Sequence, residues 1–169
     1  ARFQLIAAMN PCPCGHLGSR LRTCRCTPDQ VARYQARLSG PLLDRIDLHI
    51  EVPAIPVQEL LEAPAGEPSA VVGERVQLAR ERAMARQGCP NQALAGQQID
   101  RHVALDASAS ALLQKASAKF GWSARSTHRM LKVARTIADM ASSAVVQASH
   151  VAEAMQYRRT LDTQAAAKD

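Results

Sequence analysis

Four cysteines lie in two close pairs near the start of the chain and offer the clearest chemistry in the sequence. Cys12 and Cys14 form the first pair, and Cys24 and Cys26 form the second, which gives the pattern C-x-C-x9-C-x-C. Four thiolates are the ligand set of a closed structural zinc site, and metal binding would order a loop that has little core of its own. The spacing therefore predicts a structural Zn²⁺ held by all four cysteines.

Two other interpretations of the cysteines stay open. A redox-active dithiol pair, or cysteines without a ligand role, would use the same residue types. His16 is an alternative ligand beside the first pair, although four cysteines already complete a tetrahedral shell. A catalytic zinc is disfavoured, because such a site keeps one coordination position open. Cys89 stands alone before Pro90 and is interpreted as an incidental thiol.

Three further residues carry side chains that can act on a phosphate group. Asn10 ends an apolar run, Arg45 lies between Asp44 and Asp47, and Arg125 stands one turn into a predicted helix. Taken singly, each has a plainer role: the asparagine can cap a turn, the first arginine can form a surface ion pair, and the second can be a solvated charge. The phosphate-loop pattern G-x-x-x-x-G-K-[ST] is absent from the 169 residues.

The composition favours helices and is compatible with an anionic partner. Apolar residues make up 47% of the chain but aromatic residues only 3%, which suits close-packed helices better than a sheet. The net charge of +6 fits a polyanion such as DNA or bound nucleotide, although it fits a solubilising surface equally well. With no signal peptide and no apolar run of about 18 residues, we expect a cytoplasmic protein without a membrane partner.

The first part of the chain is predicted to contain two short strands and one helix. Apolar residues over 3–9, and alternating ones over 48–52, are typical of strands. A helix is expected over 30–38, capped by Thr27 or Asp29. The segment APAGEPS at 63–69 is the expected linker between domains.

The rest of the chain has the periodicity of a four-helix domain. Apolar residues recur every three or four positions over about 72–87, 105–120 and 123–141, and Ser149 starts a fourth helix. Residues 91–102 are expected to be mostly loop. The first of these helices should bury Val72, Val76, Ala79 and Ala83. The third should expose a polar face of Arg125, His128, Arg129, Lys132 and Arg135.

Several motifs together resemble the magnesium-chelatase-like branch of the AAA+ ATPases, in particular its ComM-type members. They are NPCPCG at 10–15, CRC at 24–26, SGPLLDRIDLHIEVP at 39–53, SARSTHRMLKVARTIADM at 123–140 and EAMQYR at 153–158. The resemblance implies a mainly α chain: a C-terminal four-helix AAA+ lid domain, preceded by a truncated α/β remnant of the AAA+ core with a Cys-rich loop. The expected domains are residues 1–62, a linker over 63–69, a lid over 70–158 and a tail over 159–169.

The resemblance also implies roles in ATP hydrolysis with Mg²⁺. Asn10 matches sensor 1, which orients the attacking water. Arg45 matches the arginine finger offered to a nucleotide held by a neighbouring subunit. Arg125 matches the sensor 2 arginine that contacts the γ-phosphate, with Arg129 as the alternative one turn along the helix.

The family further implies a homo-hexameric ring that remodels DNA, by branch migration or helicase-like work in natural transformation. Arg20, Arg22 and Arg25 are then candidate phosphate contacts, with a solvated loop as the alternative. Because the phosphate loop and the Mg²⁺-binding acidic motif are missing, the chain is expected to be a C-terminal fragment that hydrolyses nothing alone. Two other functions remain open: the ATPase subunit of a magnesium chelatase for tetrapyrroles, and a stand-alone zinc-bearing nucleic-acid-binding module.

Overall fold

Eight α-helices lie within residues 3–158, the part that the computed structural model describes. The first three are α1 (Pro28–Gln35), α2 (Gly40–Leu43) and α3 (Val57–Glu62). The other five are α4 (Ser69–Gln87), α5 (Gln97–His102), α6 (Ala107–Phe120), α7 (Ala124–Met140) and α8 (Ala148–Gln156). A short 3₁₀ helix, Asn91–Ala93, follows α4. The predicted tail over 159–169 lies outside the described residues.

The helices belong to two separate units. The cysteine unit contains residues 3–45 and 51–64, and therefore the cysteine loop and α1–α3. The helical unit contains residues 46–50 together with 65–158, and therefore α4–α8. The mainly α class expected from the sequence is confirmed.

The prediction of two strands is wrong. Residues 3–9 and 48–52 form neither strand nor helix, and an isolated bridge between Leu105 and Val146 is the one β-type pairing among residues 3–158. A strand is completed by hydrogen bonds to a neighbouring strand, and none of the described segments supplies one here. Their apolar side chains are consequently exposed, as Phe3 at 80% and Ile6 at 86% show.

The caps of the helical unit follow the sequence signals closely. The side chain of Asp106 accepts a hydrogen bond from the N–H of Ala109, and Ser123 caps α7 in the same way. Gly121 ends α6 in the left-handed conformation with φ +61°, which glycine adopts without a steric cost. The buried side chains of this unit form one core, whose larger members are Leu94, Ile99, Val103, Leu113, Met130, Leu131, Val146 and Val151.

Two expectations for the helical unit were wrong. Residues 97–102 form α5 instead of loop, because Ile99 anchors that turn in the core. Helix α4 buries Ala79 and Ala83, but Val72 and Val76 in its first half stay exposed. The buried stripe of α4 is therefore confined to its second half, which lies against α7.

A buried charged network joins α4, the 3₁₀ helix and α7. Both nitrogens at the end of Arg86 donate to the carboxylate of Asp139, at 2.6 and 2.9 Å, and Arg135 donates to the same carboxylate at 2.9 Å. Asn91 donates to it as well, at 2.8 Å. Arg135 also donates to the carbonyls of Ser143 and Ala144.

Arg135 was expected on the exposed face of its helix, and this prediction is wrong. Its side chain is fully buried, because α8 and the loop before it cover that part of α7. A buried guanidinium is tolerable only when it is paired and hydrogen-bonded. Asp139 and the two loop carbonyls bind the two terminal nitrogens of Arg135, whereas its Nε has no hydrogen-bond partner among the described residues. Burial lowers the pKa of Arg135 and the neighbouring Asp139 opposes that change.

Candidate functional site

The cysteine loop brings the four predicted ligands together. The sulfur of Cys12 lies 3.4 Å from that of Cys14 and 3.7 Å from that of Cys24, and Cys14 and Cys24 are 3.6 Å apart. All four sulfurs, including that of Cys26, lie within 4.8 Å of one another. Four sulfurs at about 2.3 Å from a tetrahedral zinc ion are about 3.8 Å apart. Disulfides are not formed, since a bonded pair would be at about 2.05 Å.

A tight turn shapes the first half of this site. The N–H of Gly15 donates to the carbonyl of Cys12 at 3.0 Å, which turns the chain back immediately after Cys14. Gly15 has φ +78°, a left-handed conformation that favours glycine. The turn places both sulfurs of the first pair on the same side of the loop, facing Cys24.

Backbone N–H groups donate to the sulfurs and favour their charged form. The N–H groups of Arg25 and His16 are the main reason that the pKa of Cys14 falls to about 6. The pKa of Cys26 rises to about 12, because burial and the neighbouring sulfurs outweigh the N–H of Cys14, which lowers it. Four thiolates so close together repel one another unless a cation neutralises them. The cluster is thus suited to hold a metal such as zinc.

The cysteine cluster also takes the place of a hydrophobic core in its unit. Among residues 3–64, Cys12 is the one buried residue. Helix α1 begins directly after Cys26, where Thr27 and Gln30 form a capping box. Gln35, at the other end of α1, donates to the carbonyl of Pro11 at 3.2 Å. The helix is therefore fixed to the loop at both ends.

The predicted sensor 1 and finger residues both lie in the cysteine unit. Asn10 is exposed, and its side chain lies 3.7 Å from the position that a Cβ on Gly15 would occupy, directly beside the cysteine turn. Arg45 follows α2 and is exposed. It donates to the carbonyl of Pro41 at 2.7 Å, which orients the side chain along the helix.

The two candidate sensor 2 arginines, both on α7, have different surroundings. Arg125 is exposed in the first turn and makes no hydrogen bond or ion pair with any described residue. Arg129 is half-buried and forms an ion pair with Asp47 at 2.7 Å. The sequence offered no signal for this pair, because the partners are 82 positions apart. Arg125 is thus the candidate with an available guanidinium.

The three arginines of the cysteine loop are all exposed. Arg20, Arg22 and Arg25 surround the second half of the loop, and none of them makes a side-chain hydrogen bond within residues 3–158. No helix in the described part of the chain has the length and apolar character needed to cross a membrane.

Two family models match the chain. The model of the magnesium chelatase subunit ChlI C-terminal domain matches residues 66–158, and the model of the magnesium chelatase subunit ChlI matches residues 1–60. Competence protein ComM of Haemophilus influenzae is 48% identical over 160 residues, which is 94% of this chain and 31% of that protein. The uncharacterized protein YifB of Escherichia coli is 45% identical over 159 residues, again 94% of this chain and 31% of the relative.

A more distant relative extends the likeness. An uncharacterized protein of Mycobacterium tuberculosis is 35% identical over 165 residues, which is 95% of this chain and 32% of that protein. The chain therefore spans about a third of the length of the curated relatives it matches.

Proposed function

Because the chain belongs to the magnesium chelatase subunit ChlI family, we propose that it forms the C-terminal part of an AAA+ ATPase that couples ATP hydrolysis to DNA remodelling in a homo-hexameric ring. The similarity to a competence protein and the doubled C-x-C loop favour this branch over an enzyme that inserts magnesium into tetrapyrroles. Since the sequence holds no phosphate loop, ATP turnover requires residues that this chain does not contain.

The similarity to a competence protein carries the proposal, and the exposure of the two proposed phosphate-binding arginines is consistent with it. Arg45 and Arg125 are both exposed, and Arg125 has no partner among the described residues. A guanidinium that stabilises charge on a transferred phosphoryl group must be available to the nucleotide. Asn10 would orient the attacking water. Arg45 would act on the nucleotide of the adjacent subunit, and Arg125 on the nucleotide of its own.

The available guanidinium of Arg125 distinguishes it from Arg129. Arg125→Ala in the full-length protein is expected to lower ATP turnover by about 100-fold or more, as the loss of a preorganised charge at the phosphoryl group does. Arg129→Ala is the matched control on the same helix and should cost less than about tenfold, since Asp47 already holds its charge. Steady-state phosphate release measures both variants. A larger loss for Arg129→Ala would reverse the assignment of sensor 2.

We propose that the cysteine cluster holds a structural zinc ion through all four sulfurs. The purified chain, prepared under reducing conditions without chelator, is expected to contain about one zinc per molecule. Cys12→Ser should lose most of it, because that residue lies at the centre of the cluster. Cys89→Ser is the control and should keep the metal. Elemental analysis by mass spectrometry gives the stoichiometry, and a value below about half an equivalent would contradict the site.

A direct assay tests the ATPase proposal against its two alternatives. We expect the full-length protein to hydrolyse ATP faster with branched DNA, and the 169-residue chain alone to have no turnover. Turnover that ignores DNA but responds to a tetrapyrrole substrate would favour the metal-insertion function. A full-length protein without ATPase activity, together with tight DNA binding by the 169-residue chain, would favour the stand-alone zinc module.

A further inference from the structure

An open cleft of about 590 Å³ lies beside the cysteine cluster, entirely within the cysteine unit. Its lining includes Arg25 from the loop, Arg33 and Tyr34 from α1, and Arg37 just after that helix. Cys14 and Cys26 form the wall next to the cluster. We propose that this cleft binds a nucleic-acid strand, with the arginines on backbone phosphates and one base stacked on Tyr34. This inference rests on the DNA role proposed above.

The residues of α1 that line the cleft lie on one face of the helix. Arg33 and Tyr34 follow Gln30 by three and four positions, which places the three residues on one side of α1. Arg37, in the turn after α1, lines the same cleft. Arg25 approaches the same cleft from the loop. Positive charge therefore lines two walls of the cleft, which is the arrangement that a chain of phosphates requires.

The arginines of the cleft are available to a ligand. The guanidinium groups of Arg25 and Arg37 make no hydrogen bond and no ion pair with any residue over 3–158. Arg33 uses its Nε for the carbonyl of Asp29 at 3.4 Å, a contact that involves neither of its two terminal nitrogens. No acidic residue lines the cleft in the described structure.

The charge remains positive when a metal is bound. Zinc with four thiolates carries two net negative charges, but residues 10–38 contain five arginines against a single acidic residue, Asp29. The surplus favours phosphate over a cationic or neutral ligand.

Tyr34 supplies what a purely electrostatic surface lacks. Its ring is half-buried on α1 and lines the cleft between two arginines, and its hydroxyl has no hydrogen-bond partner among the described residues. Aromatic rings beside a positive groove are the usual means of binding unpaired bases, because every base has a face that stacks. The expected ligand is thus a single strand, whose bases are accessible, and not a duplex.

The test uses the zinc-loaded 169-residue chain and a fluorescein-labelled 20-nucleotide single-stranded DNA. Fluorescence anisotropy at several salt concentrations should give a Kd of about 10⁻⁴–10⁻⁶ M near physiological salt. Arg33→Gln/Arg37→Gln should reduce the salt slope by about 1.4 and weaken binding about 60-fold at 50 mM salt, since each lost phosphate contact removes about 0.7 from the slope. An RNA strand of the same sequence should bind equally, and a DNA duplex should bind more weakly.

A second double variant separates the cleft from general charge. Arg80→Gln/Arg101→Gln removes the same charge from exposed positions of the helical unit, and binding should change less than about threefold. The proposed binding site would be contradicted by equal losses of affinity in the two double variants, by tighter binding of the duplex than of the single strand, or by no binding to the wild-type chain.

The stacking part of the proposal has its own control. Tyr34→Leu should weaken binding of the normal strand about 5- to 150-fold but leave an abasic strand unaffected, and Tyr34→Phe should bind like the wild type. An equal loss on the abasic strand would overturn the role of the ring. Zinc content, measured on each variant, should equal that of the wild type, which excludes unfolding as the cause.

The cleft and the ATPase proposal fail in different ways. DNA-stimulated turnover of the full-length protein that survives Arg33→Gln/Arg37→Gln unchanged would overturn the cleft alone. If DNA does not stimulate ATP turnover by the wild type but the 169-residue chain still binds the strand, the DNA-dependent ATPase proposal is wrong and the proposed binding site in the cleft remains supported.

Discussion

Arg45→Ala in the full-length protein is expected to lower ATP turnover by about 10³–10⁵-fold, the range over which arginine fingers act. In the proposed finger role, the guanidinium would stabilise charge that grows on the transferred phosphoryl oxygens, so its loss should affect the transition state far more than the bound nucleotide. Nucleotide binding should therefore change little. Phosphate release measures ATP turnover, and binding of a fluorescent ATP analogue measures nucleotide affinity. Normal turnover by the variant would contradict the assignment of Arg45 as the arginine finger.

A mixing experiment tests whether Arg45 acts across a subunit boundary. Protomers with Arg45→Ala and protomers with Arg125→Ala should each be inactive, but some interfaces of a mixed ring contain an intact finger and an intact sensor 2. Partial recovery of turnover on mixing is expected for that reason. Arg80→Ala, at an exposed position of α4, is the matched single-site control and should hydrolyse ATP normally.

Asp139→Ala is expected to lower the free energy of unfolding of the helical unit by about 3–5 kcal/mol, because it leaves the buried Arg135 without its counter-charge. That loss is a large share of the stability of an ordinary domain. Trp122 is the single tryptophan of the chain and packs against the core of the helical unit. Urea unfolding followed by its fluorescence therefore reports this unit alone.

The control for Asp139 is the other ion-paired aspartate of the unit. Asp47 is 57% exposed in its pair with Arg129, and Asp47→Ala should cost at most about 1 kcal/mol. Similar losses for the two variants would show that the buried network contributes no more than a surface pair.

The effect of Asp139→Ala should also depend on pH. Burial alone would raise the pKa of Asp139, but hydrogen bonds from Arg86 and Asn91 and the charge of Arg135 outweigh it and lower the pKa. A lowered folded-state pKa stabilises the protein above the unfolded value of about 3.9 and loses that contribution as the pH falls further. The difference in the free energy of unfolding between the wild type and Asp139→Ala should thus be constant near neutral pH and shrink below about pH 4.

The elements set by local chemistry could be predicted from the sequence. Asp106, Ser123 and Gly121 bound their helices where capping rules place them, because a cap depends on a few neighbouring residues. The two strands could not be predicted correctly, since a strand depends on a partner that apolar alternation does not reveal. Helix α5 was missed because its six residues contain a single apolar anchor, Ile99.

Some features of the candidate site could likewise be predicted from the sequence, and others could not. The cysteine pairs predicted their own cluster, because two short C-x-C arms on one loop have few other ways to arrange four sulfurs. The burial of Arg135 could not be predicted, since its helical position alone suggested a solvated face and the carbonyls of Ser143 and Ala144 that it binds come from the loop before α8. The cleft residues Arg33 and Arg37 lie in α1 and in the turn after it, where the sequence looks like an ordinary polar surface.

The contacts of Asp139 constrain how relatives of this chain can diverge. Arg86, Asn91 and Arg135 all donate to one carboxylate, so that a change at any of the four positions strands a buried charge or amide. We expect single substitutions there to destabilise the helical unit, whereas simultaneous replacement by apolar residues of similar volume is tolerable. We therefore expect the residues at these four positions to change together among homologues of this chain.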